Sequence, residues 1–274
     1  MVVRYFMKYM KQTLLFCSLL TSPIQGCDDD PYTGIREGNI GDVASFSWLG
    51  VLRAHFHEKS TFKIAVTGVV MVREKFAIAN AEDVLKIPQH ILKGDSRVML
   101  LPNDRKPWYR KPKDFVAHPE FEFSTYNTIG LLELIEDDDE GFPVKPICLP
   151  SYAYNTSNQL YVIGYSDENQ LLEKIIYKLQ YVELPLCEEF YSRVKEENQE
   201  PVHYQCGFAT NNKEHCSWDN GMAIASNASG TWNLIGFGVR GPGCSAPARF
   251  IDLSHYMPWI EATTNLNQEY NVYS

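Results

Sequence analysis

Beyond residue 45 the chain is a series of short apolar runs separated by turn-forming residues. The runs are rich in β-branched and aromatic residues and are bounded by Gly, Asn, Asp or Pro, which is typical of strands. They are Phe46–Ala54, Phe62–Val72, Lys75–Ala79, Ser96–Leu101, Ile129–Leu134, Leu160–Ile163, Ile175–Val182 and Trp232–Val239. Many short strands at near-regular spacing indicate an antiparallel barrel or sandwich.

Two segments have a helical pattern instead. Leu184–Asn198 carries apolar residues among many charges, and Leu253–Thr263 is predicted to close the fold as a helix whose first turn is limited by Pro258. The residues after 264 are polar and predict a frayed tail over 265–274.

The first 26 residues resemble a secretory signal. Arg4, Lys8 and Lys11 precede the apolar stretch Thr13–Leu20, and Gly26 is a small residue suited to the cleavage site. The apolar stretch is too short to span a bilayer, and no later stretch approaches that length. A buried N-terminal helix is the alternative. The signal predicts a secreted, extracellular protein with residues 1–26 removed.

The cysteines are informative in an oxidising compartment. Of the seven, Cys17 lies in the signal, and the remaining six are an even number, as disulfide formation requires. None has the C-x-x-C spacing of a zinc site, and neither a metal nor a cofactor is predicted. The sequons at Asn155 and Asn227 are candidates for glycosylation.

The composition excludes some classes of function. With 45% hydrophobic and 22% charged residues, the chain can bury a core and is not disordered. A net charge of -9 argues against binding nucleic acid or an anionic membrane.

Two local patterns have two interpretations each, and a third has one. His55 and His57 alternate on a strand as a possible metal pair, or they lie at an exposed loop end. The basic, aromatic stretch Lys106–Lys113 docks an acidic partner, or is a solvated loop; the acidic run Glu136–Glu140 is read as a solvated turn.

Several segments, in order along the chain, resemble the chymotrypsin-like (S1) serine proteases. Cys216–Ala223 (CSWDNGMA) resembles the C-x-G-D-S-G-G-P segment of that family, and Val144–Pro150 (VKPICLP) resembles the linker between its barrels. The other matching segments are Phe46–Trp48 (FSW), Leu160–Gly164 (LYVIG), Gly230–Gly236, Gly241–Cys244 and Tyr256–Ile260 (YMPWI).

The resemblance implies an all-β fold of two six-stranded antiparallel Greek-key barrels with a C-terminal helix, over residues 35–264. Residues 27–34 would form a short propeptide-like segment that is too small for a clip domain. The implied disulfides are Cys27–Cys148, Cys187–Cys206 and Cys216–Cys244. The family's further disulfide is absent, because its two positions correspond to Val66 and Asp83.

The resemblance also implies that the catalytic triad is lost. Acyl transfer in this family needs a serine nucleophile, a histidine base and an aspartate that orients the histidine. The corresponding segments are Ala79–Asp83 (ANAED), Thr128–Leu132 (TIGLL) and Asp219–Met222 (DNGM). Glu82 therefore replaces the histidine, Thr128 the aspartate and Asn220 the serine, and no catalytic residue is predicted.

The surroundings of the triad are altered as well. Trp218 stands at a glycine position of the oxyanion hole, where its bulk would obstruct the cleft. Asp219 matches the acid that pairs, buried, with the new amino terminus after activation. Gly34, before Ile35, replaces the family's Arg or Lys; cleavage after Arg36 and an uncut chain are the alternatives.

The resemblance places Glu214 and Arg240 at the specificity pocket. They either pair with each other or are solvated, or they leave a pocket that holds a Lys or Arg side chain without cutting it.

Three functions follow as hypotheses. The first is a non-catalytic protease homologue that binds an extracellular protein, such as an active protease, its substrate or its inhibitor. The second is a serine-type endopeptidase with an altered site. The third is a secreted carrier or structural protein of a body fluid.

Overall fold

The apolar runs of the sequence form antiparallel strands. The structure, a computed structural model, describes residues 27, 38–41, 46–58, 60–101, 106–122, 125–135, 144–150, 159–166, 173–194, 200–210, 218–228, 230–239, 241, 244 and 246–270. The strands are β1 (Gly38–Gly41), β2 (Leu49–Glu58), β3 (Thr61–Arg73), β4 (Phe76–Asn80), β5 (Arg97–Leu100), β6 (Trp108–Arg110), β7 (Pro112–Ala117), β8 (Ile129–Leu134), β9 (Leu160–Ser166), β10 (Glu173–Val182), β11 (Tyr204–Thr210), β12 (Ala223–Ala228), β13 (Thr231–Gly238) and β14 (Ala248–Asp252). The helices are α1 (Ala81–Leu85), α2 (Gln89–Gly94), α3 (Leu184–Val194) and α4 (Met257–Tyr270), with a 3-10 turn at Leu253–His255.

The first sheet has the strand order β6-β5-β2-β3-β4-β8-β7. Strands β6 and β7 are separated only by Lys111, and β6 pairs with β5 while β7 pairs with β8. Pro112 cannot donate a backbone hydrogen bond, so the strand bends there. The two pieces therefore act as one bent strand that joins the two edges of a six-stranded barrel.

The second sheet closes on itself. Its order is β1-β10-β11-β14-β13-β12-β9, and β9 also pairs with β10. Six strands thus form the barrel, and β1 adds to β10 beside β11, with Gly38 opposite Ile176. The predicted all-β fold of two barrels with a C-terminal helix is confirmed.

One hydrophobic core runs through both barrels. At the junction, the rings of Phe46 and Trp232 meet edge to face with centroids 5.0 Å apart, and Phe46 also contacts Trp48. Lys174 is buried among them and donates to the backbone oxygens of Phe46 and Leu101, so a strand of the second barrel is bonded to the first.

Two predicted disulfide pairs are present in the structure. Cys27 is bonded to Cys148, and Cys187 is bonded to Cys206 between α3 and β11. Cys244 is also in a disulfide, while its predicted partner, Cys216, lies outside the described residues.

The structure differs from the sequence predictions in two respects. Strands β1, β6, β7, β11, β12 and β14 and helices α1 and α2 were not predicted; β12 (AIASNA) consists mostly of small residues and is held by pairing with β9 and β13 rather than by its own propensity. Helix α4 continues to Tyr270, into the segment predicted to be a frayed tail, because no Gly or later Pro interrupts it.

Candidate functional site

A cleft of about 390 Å³ lies between the two barrels. The first barrel contributes Val66, Thr67 and Asp83 to its wall, and the second contributes Tyr165 and Asn220. The Tyr165 hydroxyl donates to the Leu49 backbone oxygen across the junction, at 3.1 Å. Burial raises the pKa of Tyr165 well above its ordinary value, so this hydroxyl stays protonated and keeps its role as donor.

Two glycines bring the barrels into backbone contact at this cleft. A Cβ atom on Gly68 would lie 2.7 Å from the Gly221 oxygen, and one on Gly221 would lie 2.6 Å from the Gly68 oxygen. Gly221 also has a φ of 85°, which side chains rarely adopt. Only glycine at both positions allows this approach.

The Asp83 carboxylate connects the two walls of the cleft. Its Oδ2 accepts hydrogen bonds from the Asn220 side-chain amide at 3.1 Å and from the Thr67 hydroxyl at 3.3 Å. Asn220 is buried and Asp83 is half-buried. The resemblance assigns position 83 to the missing disulfide and position 220 to the nucleophile. In the structure, a hydrogen bond between a carboxylate and an amide joins these two positions.

Asn80 extends this network to Thr128. It caps the N-terminus of α1, where its Oδ1 accepts from the Asp83 backbone amide and from the Thr128 hydroxyl, each at 3.1 Å. The buried Thr128 oxygen in turn accepts from the Glu82 backbone amide at 3.3 Å. The three positions assigned to the triad therefore belong to one hydrogen-bond network.

The side chain of Glu82 is not directed into that network. Its carboxylate pairs with Lys86, one helical turn later, at 2.8 Å. The side chain that contacts Asn220 is Asp83, although the resemblance places Glu82 at the base position. The side chains of the network supply hydroxyl, amide and carboxylate groups.

Trp218 packs into the second barrel. Its indole is half-buried against a core cluster that includes Tyr177 and Phe250, and its Nε1 donates to the buried Val239 oxygen at 2.8 Å. It is not among the residues that line the cleft, so the expected obstruction of the cleft is not observed. The hydrogen bond to Val239 and the packing against the core cluster hold the Trp218 indole against the second barrel instead.

Asp219 is exposed, and the prediction that it is a buried acid is wrong for this structure. Its Oδ1 accepts from the backbone amide of Asn220 at 2.7 Å. The predicted partner segment at Ile35, together with Gly34 and Arg36, lies outside the described residues.

Other predicted residues lie away from the network. Glu214, Arg240 and Asn155 are outside the described residues. Asn227 is half-buried at the turn between β12 and β13, and its Oδ1 accepts from Gly230 N. Within the described part of the chain, no group of three or more His, Cys, Asp or Glu residues is arranged to hold a metal.

His55 and His57 lie exposed on one face of β2, and both rings contact Phe62 on β3. In the basic stretch Lys106–Lys113, the Arg110 guanidinium is buried and stacks on Trp108 at 3.4 Å. Lys113 pairs with Glu133 at 2.7 Å. Part of that stretch is therefore packed rather than solvated.

Sequence reasoning did not find Asn80 or Thr67. A signal for Asn80 existed, because Asn followed by Ala-Glu-Asp is a helix N-cap pattern. Thr67 gave no comparable signal, because its role comes from the distant Asp83.

Comparisons with known proteins agree with this architecture. The family model described as Trypsin matches residues 64–260. The chain is similar to the atrial natriuretic peptide-converting enzymes of Rattus norvegicus and Mus musculus, with 25% identity to each over 162 residues, or 54% of this chain. That match spans only 14% of either relative's length. Among the described residues, no helix has both the length and the hydropathy that crossing a bilayer requires.

Proposed function

Since the chain belongs to the trypsin family, we propose that it is a secreted family member that acts by binding protein rather than by hydrolysis. It would serve as a cofactor, decoy or regulator in an extracellular proteolytic system. Its partner would be an active protease, a protease substrate or an inhibitor. The disulfides support an extracellular setting, because such bonds persist in oxidising compartments.

The hydrogen bond between Asn220 and Asp83 is the observation that carries the proposal. Peptide hydrolysis of the family's type needs a nucleophile beside a base that removes its proton. Asn220 presents an amide, whose nitrogen lone pair is delocalised, and its partner is a carboxylate. Among the described residues that line the cleft there is no histidine, serine or cysteine.

Thr67 is the one aliphatic hydroxyl among those residues. It donates to Asp83, which it shares with Asn220, and that arrangement holds a hydroxyl in place without an imidazole to activate it. If the chain were an endopeptidase after all, Thr67 would therefore be its nucleophile, and this is the alternative to test.

A fluorophosphonate probe tests the proposal, because it labels an activated hydroxyl nucleophile covalently. We expect the purified secreted protein to stay unlabelled while trypsin in the same reaction is labelled. Labelling of the native chain that disappears in T67V but persists in N220A would refute the proposal and establish an altered endopeptidase.

Affinity purification from the native fluid then identifies what is bound. Recovery of proteases or their inhibitors by mass spectrometry is the expected result. The cleft volume falls within the range of small-molecule sites, roughly 300–1,000 Å³. If the chain is a carrier, a small molecule could therefore bind in this cleft. Recovery of a small molecule with no protein partner would favour that carrier role.

A further inference from the structure

The outer side of strands β6, β5, β2 and β3 carries a row of cations that ends in an apolar residue. Arg53 on β2 lies opposite Arg97 on β5 and opposite Val66 on β3. Arg110 on β6 pairs with Val98, and continuing that register by one residue places Lys111 beside Arg97. Directly paired residues point to the same face of a sheet, so Lys111, Arg97, Arg53 and Val66 share one face.

The same face continues toward the tip of the β2–β3 hairpin. There, His55 lies opposite Ile64, and His57 lies opposite Phe62. The three apolar side chains on β3 are exposed, with Phe62 at 56%, Ile64 at 53% and Val66 at 49%. Contiguous exposed apolar residues mark interaction sites on soluble proteins. We name Arg53, Arg97, Lys111, Phe62, Ile64 and Val66 the cation–apolar face.

The cations of this face have no carboxylate partner within the described residues. The Arg97 guanidinium donates only to the backbone oxygens of Gly94 and Ser96, at 3.0 and 2.5 Å. None of the described side chains on this face is acidic. The chain as a whole has 34 acidic and 25 basic residues, yet residues 84–113 contain eight Lys or Arg and two Asp. Of these eight, Lys86, Lys93 and Lys113 pair with Glu82, Asp114 and Glu133, whereas Arg97 and Lys111 contribute positive charge that no described carboxylate neutralises.

We propose that the cation–apolar face docks an extended segment of a partner protein that alternates acidic and apolar residues. The cations would attract its carboxylates, and Phe62, Ile64 and Val66 would cover its apolar side chains. A sulfated polysaccharide fits less well, because it offers nothing for three exposed apolar side chains. This inference rests on the proposed function only in assigning the chain a protein partner.

A fluorescein-labelled peptide of alternating Glu and Ile tests the proposal by fluorescence anisotropy. We expect binding to the native chain that weakens as salt rises from about 0.05 M to about 0.5 M, as screening shortens the reach of charges. R53E/R97E/K111E should weaken binding at least about tenfold, since reversal replaces attraction by repulsion at three sites. K145E/K178E/R193E makes the same change in net charge at exposed sites elsewhere and should leave binding unchanged.

The apolar half of the face is tested separately by F62S/I64S, which keeps every charge. We expect this variant to lose most of the peptide affinity, with circular dichroism verifying its fold. Equal effects of both charge-reversal variants, or no effect of F62S/I64S, would overturn the proposal. Dextran sulfate binding that depends on Arg53 and Arg97, without peptide binding, would also overturn it. Ile64 and Val66 also line the cleft, so fluorophosphonate labelling is measured on the native chain and peptide binding on the variants, and this inference and the proposed function fail independently.

Discussion

Introducing cysteines at Val66 and Asp83 tests the positional assignments on which the proposed loss of catalysis depends. If these positions correspond to the family's missing disulfide, V66C/D83C should form a bond on oxidation. Residue 66 is exposed on β3, and residue 83 is half-buried on α1; both line the cleft, and Thr67 already contacts Asp83 at 3.3 Å. The Thr67 hydrogen bond shows that β3 runs beside α1 here, and the bond further requires that the Cβ atoms of residues 66 and 83 face each other, which is what the correspondence predicts.

The magnitude follows from the loop that the bond would close. Positions 66 and 83 are 17 residues apart, and closing a loop of that length in the unfolded chain contributes about 3 kcal/mol. Loss of the Asp83 carboxylate removes the acceptor for Thr67 and Asn220, at about 1 kcal/mol for each hydrogen bond at a half-exposed site. The oxidised double variant should thus be about 1 kcal/mol more stable than the native chain, and reduction should reverse the sign.

Urea denaturation of the double variant and of the native chain, each with and without reductant, measures the contribution of the engineered bond, because reductant also opens the native disulfides. Mass spectrometry after alkylation reports the bond. D83C alone isolates the loss of the carboxylate and should cost about 2 kcal/mol. Two free thiols in the folded, oxidised double variant would refute the correspondence. The assignment of Glu82 to the histidine position would then have to be abandoned too, because it rests on the same alignment.

Two further predictions concern the barrel junction and pH. G221A should cost at least about 2 kcal/mol in urea denaturation, because its φ of 85° and the Gly68 oxygen at 2.6 Å both oppose a Cβ; G230A, with a φ of 88° and no neighbour within 4 Å, isolates the backbone cost, and equal losses would exclude steric contact as the cause. Burial lowers the pKa of His118 below its ordinary 6.5; the nearby charge of Glu120 opposes this, and that of His203 adds to it. Since the unfolded chain then binds more protons, stability should fall as pH drops from about 6.5 through that lowered pKa. H118Q should flatten this part of the curve, whereas an equal flattening by H90Q, at an exposed site, would contradict the assignment.

The apolar runs bounded by turn-forming residues predicted strands in both barrels. Ile129–Leu134 has the predicted bounds, because its six residues are all buried and the apolar run ends with the strand. Strand β12 was missed because Ala and Ser carry little strand preference, and its pairing with β9 and β13 determines its conformation. Pairing between distant segments is not visible in a local pattern.

The sequence predicted which positions form the site, but not which side chains contact each other there. The resemblance to the family's segments led to Glu82, Thr128 and Asn220, and the structure joins these positions in one network. It did not reveal that Asp83 contacts Asn220 while Glu82 pairs with Lys86, because neighbouring residues on a helix face different directions. The exposure of Asp219 depends on where its carboxylate turns, which residue identity does not determine.

The bond between Cys27 and Cys148 has a consequence for how the chain would respond to proteolysis. Cys148 belongs to the connection between the barrels, where its backbone amide and oxygen bond to Trp232 and Leu234 of β13. A single cut anywhere between Cys27 and Gly38 would therefore leave the leading fragment covalently attached to the second barrel. Such a cut chain would keep the mobility of the uncut chain on a non-reducing gel and would separate into two pieces only after reduction.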